Sequence, residues 1–160
     1  MRLHLPDVES MDVLGVHLAK TLPAPAVVYM QGDLGAGKST VARALLRALG
    51  VEGPIRSPTY TLVERYPVAG GEAWHLDLYR IGHAAELDFL GLDEAEVVLW
   101  LVEWPEKAAT GLPSPDLRLE LEAERDGRSA TVTGTSSTGA RWLERLERDQ
   151  QLQVFSAASR

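Results

Sequence analysis

The 160-residue chain contains no cysteine. That excludes a disulfide framework, a thiol nucleophile and a thiolate metal site. No apolar stretch approaches membrane-spanning length, and the opening "MRLHLPDVES" carries no apolar signal core, so the expected compartment is the cytoplasm, with no membrane partner. Positive charge is also scarce. Lys and Arg total 16 against 23 Asp and Glu, which leaves a net charge of −7, and there is no basic run. A chain that grips nucleic acid by itself carries a basic face, so direct DNA or RNA binding is not expected. There is neither an internal repeat nor a low-complexity tract.

What remains is an ordinary globular composition, 45% hydrophobic and 24% charged, of one domain's length. Residues 1–148 are expected to form that single domain, and 149–160, "DQQLQVFSAASR", a flexible tail. "LHL" reads as a short strand. "SMDVLGVHLAKTL" places Met11, Leu14, Leu18 and Leu22 on one helical face, with Asp7 or Ser10 as cap and Gly15 as a weak point. An apolar strand, "PAPAVVYM", leads into a Gly-rich loop and a helix that Gly50 stops. "TYTLVERY" and "AWHLDLY" read as strands joined through "PVAGG", "HAAELDFLGL" as a short helix closed by Gly91, and "VVLWLVEW" as a strand at the sheet centre. "LRLELEAE" alternates, which predicts one wet face and a place near a sheet edge, with "SATVTG" as its hairpin partner. "TGARWLERLER" closes the chain as an amphipathic helix. The expected class is α/β: a three-layer sandwich of the P-loop NTPase type, with a mostly parallel central sheet and an antiparallel C-terminal hairpin.

The Gly-rich loop carries the chemistry. Gly32, Gly37, Lys38 and Ser39 fit G-x-x-x-x-G-K-[ST], the Walker A pattern, between a strand and a helix. Glycines at 32, 35 and 37 let the backbone, with Asp33 and Ala36 between them, turn successive N–H groups toward phosphate oxygens. The helix N-terminus adds its partial positive charge. Lys38, one of only three lysines, can reach the β and γ phosphates. Ser39 can offer its hydroxyl to Mg²⁺, with Thr40 near the α phosphate. Phosphate-loop enzymes add a carboxylate at a neighbouring strand end. Glu103, after an unbroken apolar run, is the favoured metal ligand. Asp77 is favoured to orient or deprotonate water, or to support the metal from behind, and either acid could instead be a solvated strand end. His17 and His75 stand singly, without metal-ligand spacing, and read as structural.

With these residues identified, the chain resembles the bacterial TsaE (YjeE) family. "GDLGAGKST", "SPTYTLVERY", "HLDLYR", "ELDFLGLDE" and "LVEWPEK" occur in that family's order and spacing, over roughly residues 5 to 146. The resemblance implies a small Mg²⁺-dependent ATPase, cycling between ATP and ADP, needed for threonylcarbamoyladenosine (t6A) formation on tRNA. Its implied partners are the proteins TsaD and TsaB, with tRNA held indirectly through them, and its turnover alone would be weak. It implies that Thr59 sits in a switch-like loop near the γ phosphate, against a local turn as the plainer reading. It implies that Asp77 and Glu103 are the two acids near the nucleotide, with the glutamate as metal ligand. Trp104 falls on the tryptophan of the family's "EW" pair and reads equally as functional or as packing. Arg80 reads as a phosphate or partner contact, or as a solvated strand end. Met11 stands where the family usually has threonine at the nucleotide, and Arg128 in the hairpin turn is a further candidate for nucleotide contact. Two other functions stand beside this one: a small-molecule kinase, disfavoured because "GLDEAEVVLW" leaves little room for an arginine-bearing lid, and a nucleotide-gated binding module without useful turnover.

Overall fold

The computed structural model describes residues 1–92, 96–108 and 110–156. Among the described residues, seven strands form one sheet: β1 (Arg2–Leu5), β2 (Ala26–Gln31), β3 (Val63–Val68), β4 (Gly71–Asp77), β5 (Val97–Glu103), β6 (Leu117–Glu124) and β7 (Gly127–Gly134). Their order is β1-β7-β6-β2-β5-β4-β3. The four inner strands β6, β2, β5 and β4 run parallel, while β1, β7 and β3 pair antiparallel at the flanks. The antiparallel C-terminal hairpin is therefore present, and a second hairpin, β3–β4, makes the other flank antiparallel too. "LRLELEAE" is not near an edge: β7 and β1 lie outside it. Its alternation still exposes Glu120 and Glu122 opposite buried Leu117, Leu119 and Leu121, because one face of β6 lacks a covering helix-rich layer.

The helices α1 (Val8–Lys20), α2 (Lys38–Ala48), α3 (Ser137–Glu147) and α4 (Gln150–Gln153) contribute to the larger core on one face of the sheet. There Leu14, Leu18, Val41 and Leu45 meet Val28, Met30, Leu99 and Leu101. A smaller core on the opposite face gathers Trp74, Leu76 and Val102 beneath Leu87 of the 3-10 helix Ala84–Leu90. Period-2 alternation thus sorts β5 strictly, with Leu99 and Leu101 to one face and Trp100 and Val102 to the other.

Two further expectations change. Gly15 is no weak point. A Cβ there would lie 2.6 Å from both Ala44 Cβ and the Val41 carbonyl oxygen, so the bare glycine is what lets α1 cross α2 closely. Residues 149–156 are not a free tail. Asp149 caps α4, Leu152 is fully buried, and the Phe155 carbonyl accepts a bond from His4 N–H at 2.7 Å. His17 joins this segment to α1, with Nε2 2.7 Å from Gln151 Oε1 and Nδ1 2.6 Å from Asp149 Oδ2. Residues 157–160 of the expected tail, and 93–95 of the segment weighed for a kinase lid, lie outside the described residues. Among the described residues, no helix is long and apolar enough to cross a membrane.

Candidate functional site

The parallel strands β2, β5 and β4 end side by side, and the site lies at those carboxyl ends. Register sets its geometry. Glu103 is paired with Met30 on one side and with Asp77 on the other, so both acids stand next to the loop that leaves β2. Glu103 and Asp77 have the same parity as Leu101 and Ala73, and therefore point to the face that carries α2. Both are nearly inaccessible, at 2% and 5% exposure.

The phosphate loop folds as its glycines require. Gly32 has φ +142°, and a Cβ there would stand 2.3 Å from the Leu121 carbonyl oxygen. Gly37, with φ +107°, caps α2 without any side-chain bond to the first helical turn, leaving the N-terminal amides to face an anion. A cavity of about 220 Å³ opens here, lined by Leu34, Gly35, Gly37, Lys38, Ser39, Thr40, Thr59, Asp77, Glu103 and Trp104.

Within it, the Ser39 hydroxyl donates toward both Glu103 oxygens, at 3.1 Å and 3.4 Å. Asp77 is held separately: Oδ2 accepts from Thr59 Oγ1 at 3.1 Å, and Oδ1 from the Tyr79 N–H at 3.0 Å. Ser57 Oγ stands 2.7 Å from Thr59 Oγ1 and steadies that loop. Lys38 is folded back on its own loop, donating to the Gly32 carbonyl at 2.5 Å and the Asp33 carbonyl at 2.9 Å. Burial lowers the Lys38 pKa, and the neighbouring Glu103 and Asp77 partly oppose that shift. Two non-glycine residues with positive φ flank the site, Leu62 (+65°) and Trp104 (+56°), where backbone strain is held by surrounding contacts.

Oxygen donors dominate this set: the hydroxyls of Ser39, Thr40 and Thr59 and the carboxylates of Asp77 and Glu103, with room for phosphate. That is the chemistry Mg²⁺ selects when it is shared between protein and phosphates. Among the described residues, no group of three or more His, Asp or Glu forms a preformed metal cage. An ion completed by phosphate and water needs none.

The remaining candidates divide. Thr59, Asp77, Glu103, Lys38, Ser39, Thr40, Gly35 and Gly37 come together in the cavity. Gly32 and Asp33 contribute carbonyls to Lys38, and Ala36 is buried under the loop. Met11 does not line the cavity. It is buried, and its sulfur would lie 2.5 Å from a Cβ at Gly37, so it supports the loop from below. Arg128 donates to the Gly35 carbonyl at 3.2 Å and ties the β6–β7 hairpin to the loop. Arg80 lies over the Tyr60 ring, 4.5 Å from its centroid, outside the lining. Trp104 does line it, with Lys38 Nζ over its ring.

One residue read as structural belongs to this constellation. His75 Nε2 lies 2.6 Å from Glu103 Oε1, with both residues buried. The available signal was the pattern H-x-D in "HLDLY": two residues apart on a strand means the same face, so whatever meets Asp77 passes His75.

Comparisons with known proteins bear on the family and the fold. Residues 5–130 match the model of the family described as threonylcarbamoyl adenosine biosynthesis protein TsaE. A Haemophilus influenzae protein named tRNA threonylcarbamoyladenosine biosynthesis protein TsaE is 36% identical over 143 residues, covering 85% of this chain and 90% of its own. A protein of the same name from Mycobacterium tuberculosis is 41% identical over 139 residues, covering 79% and 83%. Among solved structures, Bacillus subtilis YdiB superposes with a TM-score of 0.77 at 26% identity, covering 92% of this chain and 94% of its own.

Proposed function

Since the chain belongs to the TsaE family of threonylcarbamoyl adenosine biosynthesis proteins, we propose that it binds ATP with Mg²⁺ and hydrolyses it to drive or reset partner proteins in t6A formation. The observation that carries this reading is the Ser39 hydroxyl against the Glu103 carboxylate at the mouth of a phosphate loop. The partners proposed are TsaD and TsaB, with tRNA gripped mostly by them, in keeping with the net charge of −7.

The roles follow from the groups present. Loop amides and the α2 N-terminus would cradle the phosphates. Lys38 would exchange two loop carbonyls for β- and γ-phosphate oxygens. Ser39 and Glu103 would hold Mg²⁺, which when bound neutralises charge on the phosphates. Asp77, engaged with Thr59 rather than Ser39, would orient the attacking water, and Thr59 would couple the Ser57–Thr59 loop to the γ phosphate. Hydrolysis breaks the bond between the γ phosphorus and the bridging oxygen; ADP and phosphate leave, and the water proton is released. Positioning and charge, not covalent chemistry, supply such catalysis, so a partner that orders this loop would raise turnover.

The test is phosphate release from ATP by the purified protein, alone and then with TsaD, TsaB and tRNA. The expected result is slow release that rises with the partners and vanishes in Lys38→Ala. Tight nucleotide binding without any rise would defeat the driven cycle. Glu103→Gln separates hydrolysis from docking: partner function that persists without hydrolysis would leave only a nucleotide-gated binding module.

A further inference from the structure

We propose that His75 is a positioning residue for Glu103: its imidazole holds that carboxylate in the orientation that meets Ser39, and so governs how well the site takes a divalent cation. The inference rests on the Mg²⁺–nucleotide reading above and deepens it.

The geometry is specific. Glu103 Oε1 stands between two groups, 2.6 Å from His75 Nε2 and 3.1 Å from Ser39 Oγ. A carboxylate only accepts, so Nε2 is the donor, and the imidazole anchors the oxygen that also faces the phosphate loop. Glu103 and His75 are each only 2% exposed, so protein donors dominate the holding of the carboxylate. Without His75, the described side-chain donor to Glu103 is the Ser39 hydroxyl alone, the same hydroxyl that the metal would claim.

The imidazole is also poorly explained as packing. His75 Nδ1 is buried without a hydrogen-bond partner. On its face lie Ala73 and Asp77 of its own strand, with Leu101 directly across on β5 and Glu64 across on β3. A leucine in this place would pack without an orphaned nitrogen, which buried sites ordinarily avoid. What leucine would not supply is the bond to Glu103. Carboxylates that ligate metals are held by just such outer hydrogen bonds, and losing one typically costs 10- to 100-fold in metal affinity.

The experiment compares the full chain with His75→Leu, which removes the donor, and His75→Gln, whose amide restores one at similar reach. Mn²⁺ binding in the presence of a non-hydrolysable ATP analogue is followed by electron paramagnetic resonance. Analogue binding in EDTA and thermal melting are followed in parallel. The expected result is Mn²⁺ affinity lowered about 10- to 100-fold in His75→Leu, mostly regained in His75→Gln, with metal-free analogue binding and melting unchanged. Wild-type Mn²⁺ affinity in His75→Leu would overturn the proposal. So would loss of metal-free binding along with Mn²⁺ binding, which marks a merely structural role, or a glutamine variant as weak as the leucine one. Imidazole ¹⁵N shifts of the wild-type protein supply an arm that needs no variant: a protonated Nε2 is expected, and a bare Nε2 would overturn the assignment. Failure of the wild-type protein to bind the Mn²⁺–analogue pair would defeat the underlying nucleotide reading together with the inference. That outcome differs visibly from normal wild-type binding that is indifferent to His75.

Discussion

Lys38 Nζ lies 4.6 Å from the centroid of the Trp104 ring, over its face, while Trp104 also packs against Tyr79 with centroids 4.9 Å apart. The phosphate-loop lysine is thus parked between an aromatic face and two loop carbonyls. Phosphate oxygens of the proposed nucleotide would compete for that same ammonium. Tryptophan emission is expected to change on ATP binding as Lys38 leaves the ring. The change should disappear in Trp104→Phe although Trp74, Trp100 and Trp142 remain. A fluorescence titration checks this: a full signal in Trp104→Phe would place the reporter elsewhere.

Gly15→Ala should destabilise the protein, against helix propensity. Alanine in a helix gains about 1 kcal/mol over glycine. The new methyl would sit 2.6 Å from Ala44 Cβ and the Val41 carbonyl oxygen, and overpacking costs about 1–3 kcal/mol, so the clash wins or at best cancels the gain. Urea unfolding measures the balance. Ala44→Gly, placed in the Gly15→Ala background, should relieve part of the side-chain clash, and a net gain in stability from Gly15→Ala alone would contradict the close crossing of α1 and α2.

Leu152→Ala should cost about 2–5 kcal/mol, the range for emptying a buried leucine site. Leu152 is fully buried although it lies beyond the last long helix. The loss would appear as a lower denaturant midpoint, with Mg²⁺–nucleotide affinity retained because α4 does not touch the cavity. An effect below about 0.5 kcal/mol, the level of ordinary surface substitutions, would return this segment to the status of a loose tail.

Alkaline pH should erode stability through Tyr29 and Tyr66. Burial raises both phenol pKa values above 10.0, and Tyr29 donates to the Pro113 carbonyl at 2.6 Å. In the unfolded chain these phenols ionise near 10.0. Above that pH the folded state binds more protons than the unfolded state, so stability falls as pH rises through 10.0 toward the raised folded values. Below that window the phenols contribute no pH dependence. Unfolding free energy measured from pH 8 to 11 is expected to decline, and less steeply in a Tyr29→Phe, Tyr66→Phe double variant.

Local chemistry was legible in order along the chain: the phosphate loop, the first helix with Asp7 as one of its two candidate caps, the strand "VVLWLVE" with its terminal acid, and the alternation of β6. Each is a short-range property, a φ that only glycine tolerates, a side-chain cap or a two-residue period, and each is decided by neighbours within a few positions. Lys38 and Ser39 were placed by the loop pattern, whereas Asp77 and Glu103 were candidates to join them there and either could have been a solvated strand end. Strand order and register were decided only in three dimensions. Register pairs Asp77 with Glu103 and passes His75 behind them, buries Leu152 from an apparently frayed tail, and turns Gly15 from a helix defect into a crossing point. Those outcomes depend on contacts between residues far apart in sequence, and composition and periodicity carry no record of which distant surfaces will meet.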